Sequence, residues 1–239
     1  MRLIVINSNS SGNSYALDSG TEILLLEAGC KMADVKKAID FRTKDVVGCL
    51  VTHQHGDHAT FAGEYARFGV HIYCNQDVAD MKKFPYGTCT VLRDSVTKKI
   101  GSFSVVPFDN HHDVPIFGYL INHKDMGSML FSTDSYKIGL IIRGVNHFLI
   151  EANYSDYLLK KSVWDGKITK AQSDRIMLSH MSLDYCIQYL RDCEAEKAKT
   201  ITLCHLSTRH SDPDVFSRTV CGAFGVPTYV AQKGAIIQL

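Results

Sequence analysis

The chain has 239 residues, of which 45% are hydrophobic and 21% charged, with a formal charge of +1. This supports a substantial buried core, and residues 1–239 read as a single domain. The balanced charge argues against a non-specific duplex binder, which needs a basic field. With no long apolar run and no signal-like start at Met1–Ile6, the chain is expected to be cytoplasmic with no membrane partner. None of its eight cysteines forms a C-x-x-C pair, so buried free thiols are expected rather than disulfides or a thiolate zinc site.

Short strands dominate the first third. Residues 2–6 and 15–18 read as a hairpin around the small polar turn Ser8–Asn13. Thr21–Glu27 is a near-continuous apolar strand, as expected where both faces are covered. Met32–Phe41 reads as a helix, Val46–Val51 as a strand, Ala59–Phe68 as a helix stopped by Gly69, and Val70–Cys74 as a strand. Further strands are expected at Thr90–Arg93, Lys98–Ile100, Phe103–Phe108, Tyr119–Asn122 and Met129–Ser132. Gly139–Gly144 reads as a short helix or turn, and His147–Ile150 as a strand. A helix over Leu183–Cys193 has Cys186, Tyr189, Leu190 and Cys193 at helical spacing. Strand Thr200–Leu203 and a helix capped by Asp212-Pro213 follow. Thr228–Ala231 and Ala235–Gln238 read as a terminal hairpin closed by Lys233-Gly234. Two β-rich halves with interspersed helices predict an α/β architecture of two packed sheets with helices outside.

The most informative segment is Thr52-His53-Gln54-His55-Gly56-Asp57-His58. On extended chain, residues two apart point the same way, so His53 and His55 can grip one cation. Asp57 and His58 follow a glycine that lets the chain turn, and can face a second cation. Two metals about 3.5–4 Å apart can clamp both oxygens of a displacement at phosphorus or carbon. The alternative, a His-rich surface loop, is disfavoured because the apolar strand before it would fix the loop. Further metal-capable residues recur after predicted strands: His111-His112-Asp113, Asp134, His180 and His205. Loops at strand ends are where an α/β scaffold places chemistry. Singly, each has a plain reading as a solvent-exposed, capping or turn residue.

Taken together, the H-x-H-x-D-H run followed by a His, an Asp and a final His resembles the metallo-β-lactamase superfamily, which implies a four-layered αββα sandwich. By that resemblance His53, His55 and His112 hold one metal. Asp57, His58 and His205 hold the other, and Asp134 bridges both. Histidine at position 55 suits zinc, with manganese as the alternative. Ser8–Ser14, His112-Asp113 with Phe117-Gly118-Tyr119, Glu151-Ala152-Asn153-Tyr154, Ser179-His180-Met181-Ser182 and His205-Leu206-Ser207 resemble the YycJ/WalJ/VicX group and its relative ribonuclease Z. Phage cyclic nucleotide phosphodiesterases belong to the same neighbourhood. The resemblance implies that His180 protonates the leaving oxygen, that Glu151 orients it, and that Asp57 takes the nucleophile's proton.

There are departures from the pattern. Glu27 stands where the superfamily ends its early strand with Asp, which puts the brace of the metal loop in question. The short interval between His112 and Asp134 leaves no room for the tRNA-gripping arm of ribonuclease Z, and no β-CASP insertion is present. The expected activity is hydrolysis of phosphodiester bonds, in single-stranded nucleic acid (exonuclease-like) or in cyclic nucleotides. A thioester or lactone hydrolase of the glyoxalase II kind and a non-catalytic, metal-stabilised binding module are the alternatives. For substrate binding, Arg209 can meet phosphate or form a structural ion pair. Ser10, Ser11 and Asn13 line the site or simply make a tight turn. Trp164 stacks a base or belongs to a packed loop with a solvated face. By analogy with relatives, a homodimer is expected.

Overall fold

Apolar residues recur without a break along the central strands because both faces of each strand are covered. The computed structural model describes residues 1–239. Six strands begin one sheet: β1 (Arg2–Asn9), β2 (Gly12–Asp18), β3 (Ile23–Leu26), β4 (Val46–Leu50), β5 (Ile72–Cys74) and β6 (Cys89–Val91). Helices α1 (Met32–Ala38), α2 (Gly56–Ala59), α3 (Ala62–Arg67) and α4 (Gln76–Lys82) intervene. The second sheet holds β7 (Lys98–Ile100), β8 (Phe103–His111), β9 (Ile116–His123), β10 (Gly127–Ser132), β11 (Lys137–Ile138), β12 (His147–Glu151), β13 (Thr200–Cys204) and β14 (Thr228–Val230). Between them run α5 (Asp156–Trp164), α6 (Lys170–Ser179), α7 (Leu183–Asp192) and α8 (Pro213–Phe224). The last strand, β15 (Ile236–Gln238), returns to the first sheet beside β1.

Alternation along each strand sorts side chains into three cores, and these define four layers. Leu24, Leu26, Met129, Phe131 and Leu149 point between the sheets, with Tyr15, Phe103 and Tyr119. Their neighbours Ile23 and Leu25 point outward against Met32, Val35 and Tyr65 of the first helical layer. Leu130, Phe148 and Ile150 point outward the other way, against Cys186, Leu190, Phe216 and Val220 of the second. A fully buried side chain of this size contributes about 1.5–3 kcal/mol. The result is an αββα sandwich.

The sheet orders are β15-β1-β2-β3-β4-β5-β6 and β11-β8-β9-β10-β12-β13-β14, with β7 on β8. Strands β3 to β6 run parallel, as do β10, β12, β13 and β14. The loops that follow β4, β10, β12 and β13 all leave from carboxyl ends. The sheets are tied together there: Phe117 N–H donates to Thr52 O (3.1 Å), Tyr119 Oη to Val51 O (2.7 Å), and His205 N–H to Ser8 Oγ (2.9 Å).

Several expectations need correction. Thr228–Ala231 and Ala235–Gln238 do not form a hairpin: β14 lies parallel to β13 in one sheet and β15 antiparallel to β1 in the other. Lys233-Gly234 crosses between sheets, with Gly234 at φ +82°. Ser8, Asn9, Gly12 and Asn13 belong to β1 and β2, so the turn shrinks to Ser10-Ser11. The helix expected at 59–68 is split into α2 and α3, with Gly69 left-handed after it as expected. Gly139–Gly144 has no regular structure. Trp164 is not on a packed loop but ends α5, and α4, α5 and α6 were not expected as helices. All eight cysteines are free, although the Cys74 and Cys89 thiols lie 3.5 Å apart. No helix is long and apolar enough to cross a membrane.

Candidate metal centre

Strand β4, interior to its sheet between β3 and β5, carries the chain into His53, which is fully buried. Thr52 Oγ1 lies 2.9 Å from His53 Nδ1 and fixes the ring. With Nδ1 engaged, Nε2 is left buried with no hydrogen-bond partner. His55 is the N-cap of α2, so Asp57 and His58 lie on its first turn. His58 is also fully buried, with Nε2 3.3 Å from both Asp57 Oδ2 and Asp134 Oδ1.

The downstream residues converge on this loop. His112, just past β8, places Nε2 3.2 Å from His55 Nδ1. Asp134 follows β10, with Oδ2 3.9 Å from His53 Nε2. His205 follows β13, with Nε2 3.3 Å from Asp57 Oδ2. Three groups have ligand atoms within 4.8 Å of one another: His53, His55, His112 and Asp134; Asp57, His58, Asp134 and His205; and Asp134, Glu151, His180 and His205. Asp134 belongs to all three.

The third group contains a buried carboxylate and a histidine about a fifth exposed. Glu151, the last residue of β12, is fully buried. Its Oε2 accepts from the backbone N–H of Ser135 (3.0 Å) and Met181 (3.2 Å). Its Oε1 lies 2.8 Å from His180 Nδ1 and 3.1 Å from His205 Nδ1. His180 caps the carboxyl end of α6, and its ring stacks on that of His205 at 5.3 Å.

The electrostatics are those of a site built for cations. Burial opposes charge on His205, but Asp134, Asp57 and Glu151 outweigh it and push its pKa up to about 10. His58 is pushed up against the same burial by Asp134 and Glu27. His53 is driven well down by burial and by His58. Burial also works against the carboxylates, yet His205 and His58 hold Asp57 and Asp134 well below the usual range. His53 Nε2 without a partner, and His112 Nε2 facing His55 Nδ1, are arrangements that a shared cation would satisfy. Imidazole and carboxylate donors of this number and spacing fit divalent ions.

Residues 8–145, more than half of the chain, match the metallo-beta-lactamase superfamily. The chain belongs to this superfamily. It is 25% identical over 233 residues to an exodeoxyribonuclease WalJ of Streptococcus pneumoniae, covering 90% of this chain and 85% of that protein. It is 25% identical over 219 residues to an exodeoxyribonuclease YycJ of Bacillus anthracis, covering 85% and 81%. Among solved structures, the fold is similar to the metallo-beta-lactamase fold protein YhfI of Bacillus subtilis (TM-score 0.77, 16% identity, 99% of each chain). It is also similar to Zn(2+)-bound PqqB of Methylobacterium extorquens (TM-score 0.76, 14% identity, 100% of each chain). The short form of human tRNase Z aligns with a TM-score of 0.66 at 14% identity, over 100% of this chain and 99% of that one. The chain is thus a metal-dependent hydrolase of the superfamily, whose fold typically binds two metal ions.

Within this superfamily member, Glu27 reaches the metal loop despite its extra methylene. Its backbone is left-handed (φ 66°), which brings Oε2 to 3.3 Å from Thr52 N–H and Oε1 to 3.6 Å from His58 Nδ1. Gly29 was not foreseen. A Cβ there would lie 1.7 Å from Asp57 O, so only glycine lets this strand end approach the metal loop. Ala28 N–H donates to His58 O (2.8 Å) and secures that approach. Thr52 and Asn153 were also missed as site residues, whereas Asp113 was named as metal-capable without a role. Asp113 Oδ1 lies 3.0 Å from His112 Nε2, and Asn153 Nδ2 donates to His205 O (2.8 Å).

The proposed substrate residues divide. Ser10 and Arg209 line cavities that also contain His180 and His205. Asn13 does not face the cleft: it is fully buried, with Nδ2 3.0 Å from His58 Nε2, and supports the loop. Ser11 bonds to Asn9 Oδ1 (2.6 Å) and lines a different cavity, beside Cys30 and Lys31. Trp164 is 91% exposed at the last residue of α5, roughly 13 Å along the helix from Ser155 at 1.5 Å per residue. It lines none of the cavities around the metal cluster.

Proposed function

We propose that the protein is a di-zinc phosphodiesterase acting on single-stranded nucleic acid. His53, His55 and His112 would hold one cation and Asp57, His58 and His205 the other, with Asp134 within reach of both. When bound, such cations polarise a phosphoryl group and lower the pKa of water. The observation that carries the reading is His180, 2.8 Å from the buried Glu151 and beside the metal ligands. Burial opposes its charge, but Glu151 outweighs this and raises its pKa, which favours the protonated ring. With Nδ1–H given to Glu151, Nε2–H faces the cleft and donates to the leaving sugar oxygen. General acid help of this kind contributes about 10²–10⁴-fold. Asp57, a fifth exposed and held as a carboxylate, takes the proton of the nucleophile.

A leaving alkoxide needs a proton and a leaving thiolate does not, so the Glu151–His180 pair favours phosphodiester over thioester chemistry. The names of the WalJ and YycJ relatives point the same way. The test sets purified, metal-loaded protein against bis-p-nitrophenyl phosphate, 5′-labelled oligonucleotides, 3′,5′-cyclic nucleotides and a glutathione thioester, with and without chelator. Chelator-sensitive shortening of the oligonucleotide is expected. Thioester turnover with every phosphodiester intact would overturn the proposal, and turnover of the cyclic nucleotide alone would move the activity to signalling nucleotides.

A further inference from the structure

Three neighbouring cavities share wall residues along the rim where the strands end. The metal cleft, about 240 Å³, is lined by Asp57, Asp113 and Asp134 as well as by histidines and one cation, Arg175. A second cavity of about 330 Å³ shares Ser10, His180 and His205 with it and extends to Thr208 and Arg209. A third of about 360 Å³ shares Leu206, Ser207 and Thr208 with the second and ends at Lys233. The chemistry of the wall changes along this path. No Asp or Glu lines the second or third cavity, whereas the metal cleft has three. Arg209 and Lys233 are exposed, and the surface ion pairs engage other cations: Arg143, Lys160, Lys167, Lys170 and Lys197. The loop and cavity hydroxyls of Ser10 and Thr208 and the amide of Gln232 add donors.

Neither cavity is lined by Phe, Tyr or Trp, and the only rings in their walls besides Pro213 are the imidazoles of His180, His205 and His210 in the second cavity. Donors and positive charge without carboxylates suit backbone phosphate, the part of a strand that positions without specifying sequence. His180 stands where the metal cleft meets the second cavity. A general acid protonates the departing oxygen, so the departing fragment lies on the side of Arg209 and Lys233.

We infer that these two cavities form a track for the leaving fragment of a nucleic-acid strand, with one phosphate at Arg209 and a further one at Lys233. The inference rests on the phosphodiesterase reading of the metal centre. It makes the substrate a polynucleotide, because a cyclic mononucleotide or a dinucleotide has no phosphate to place at Lys233.

The test compares wild type, Lys233→Gln and Lys44→Gln on bis-p-nitrophenyl phosphate, a thymidine dinucleotide and a thymidine octanucleotide across a salt series. Lys44 precedes β4, at the far end of that strand from the metal loop. For Lys233→Gln, the ratio of octanucleotide to bis-p-nitrophenyl phosphate kcat/KM is expected to fall several-fold. The same ratio for the dinucleotide stays put. The slope of log kcat/KM against log salt for the octanucleotide shrinks by about 0.7, the value for one lost single-strand phosphate contact. Lys44→Gln follows wild type. An unchanged octanucleotide ratio and slope in Lys233→Gln, with bis-p-nitrophenyl phosphate still hydrolysed, overturns the track alone. Wild type that hydrolyses none of the three compounds overturns the phosphodiesterase reading and the track with it.

Discussion

Replacing Glu151 by Gln separates the two tasks that one buried carboxylate performs. In the native site Oε2 accepts two backbone N–H bonds, from Ser135 and Met181, while Oε1 receives Nδ1–H from both His180 and His205. Each histidine therefore keeps Nε2 for other work. A glutamine must leave its carbonyl oxygen on the two backbone donors, because an NH₂ group there would face N–H against N–H. Its NH₂ then points at both Nδ1 atoms, and both rings have to carry their proton on Nε2 instead. His205 Nε2 can no longer hold a cation, a disturbance that typically costs about 10–100-fold in metal affinity. His180 keeps an Nε2–H but loses a charge-assisted bond of about 1.5–3 kcal/mol that favours its protonated form. At saturating metal, kcat on an oligonucleotide should fall by about 10²–10⁴-fold. On bis-p-nitrophenyl phosphate the loss should be much smaller, because nitrophenolate departs without a proton. Chelator competition and steady-state kinetics read the two effects apart. His180→Ala should reproduce the kinetic loss while retaining the metal. A folded Glu151→Gln protein with wild-type kcat on oligonucleotides at saturating metal would refute the reasoning.

Asp134→Asn should lose metal from both groups that share it, seen by elemental analysis as well as by turnover; a full complement of two ions would remove Asp134 from the bridging role. Gly29→Ala should destabilise the protein by about 1–3 kcal/mol and weaken metal binding, since its methyl lands on Asp57 O; an unchanged urea midpoint would show that the strand end can yield. Burial and nearby Lys199 push His147 down to about 4, so between that value and the unfolded pKa of about 6.5 the unfolded chain binds the extra proton. Stability therefore falls as pH drops through this window, by at most about 1.4 kcal/mol per pH unit, and His147→Gln should flatten the fall in urea midpoints measured from pH 7 to pH 4.5.

The sequence carries the sandwich in the two-residue alternation of its strands and the metal site in the spacing of its histidines. Helices α5 and α6 escaped because almost nothing on them is buried. Leu159 and Ser162 on α5, and Ser173 and Ser179 on α6, give no apolar stripe. Their caps were readable all the same: Ser155 accepts from Leu158 N–H, and Thr169 with Gln172 makes a full capping box. The terminal strands misled because a short segment, two strands and Lys233-Gly234 match a hairpin pattern. Only the tertiary pairing of β14 with β13 and of β15 with β1 sends them to different sheets. Asn13 was read as part of the turn for a similar reason, since a turn two residues long leaves Asn13 inside β2 and turned into the protein.

The backbone at the metal site is the part no residue pattern announces. Glu27, Asp134 and His205 take left-handed φ values of 66°, 47° and 52° at or just beyond the ends of β3, β10 and β13. None is glycine, and such conformations cost about 1–3 kcal/mol each. The left-handed step breaks the alternation that would send each side chain to a sheet face. Hydrogen bonds hold it in place: Thr52 N–H to Glu27, Thr133 Oγ1 to Asp134 Oδ1 (2.8 Å), and His205 N–H to Ser8 Oγ with Asn153 on its carbonyl. The protein thus carries this strain in residues of the His/Asp cluster and its brace. Those groups are positioned by the protein's own bonds and do not depend on the metal to aim them. Preorganisation of this kind explains why the loops are tied to strand ends and to one another through main-chain bonds, while the outlying helices α5 and α6 are left lightly packed.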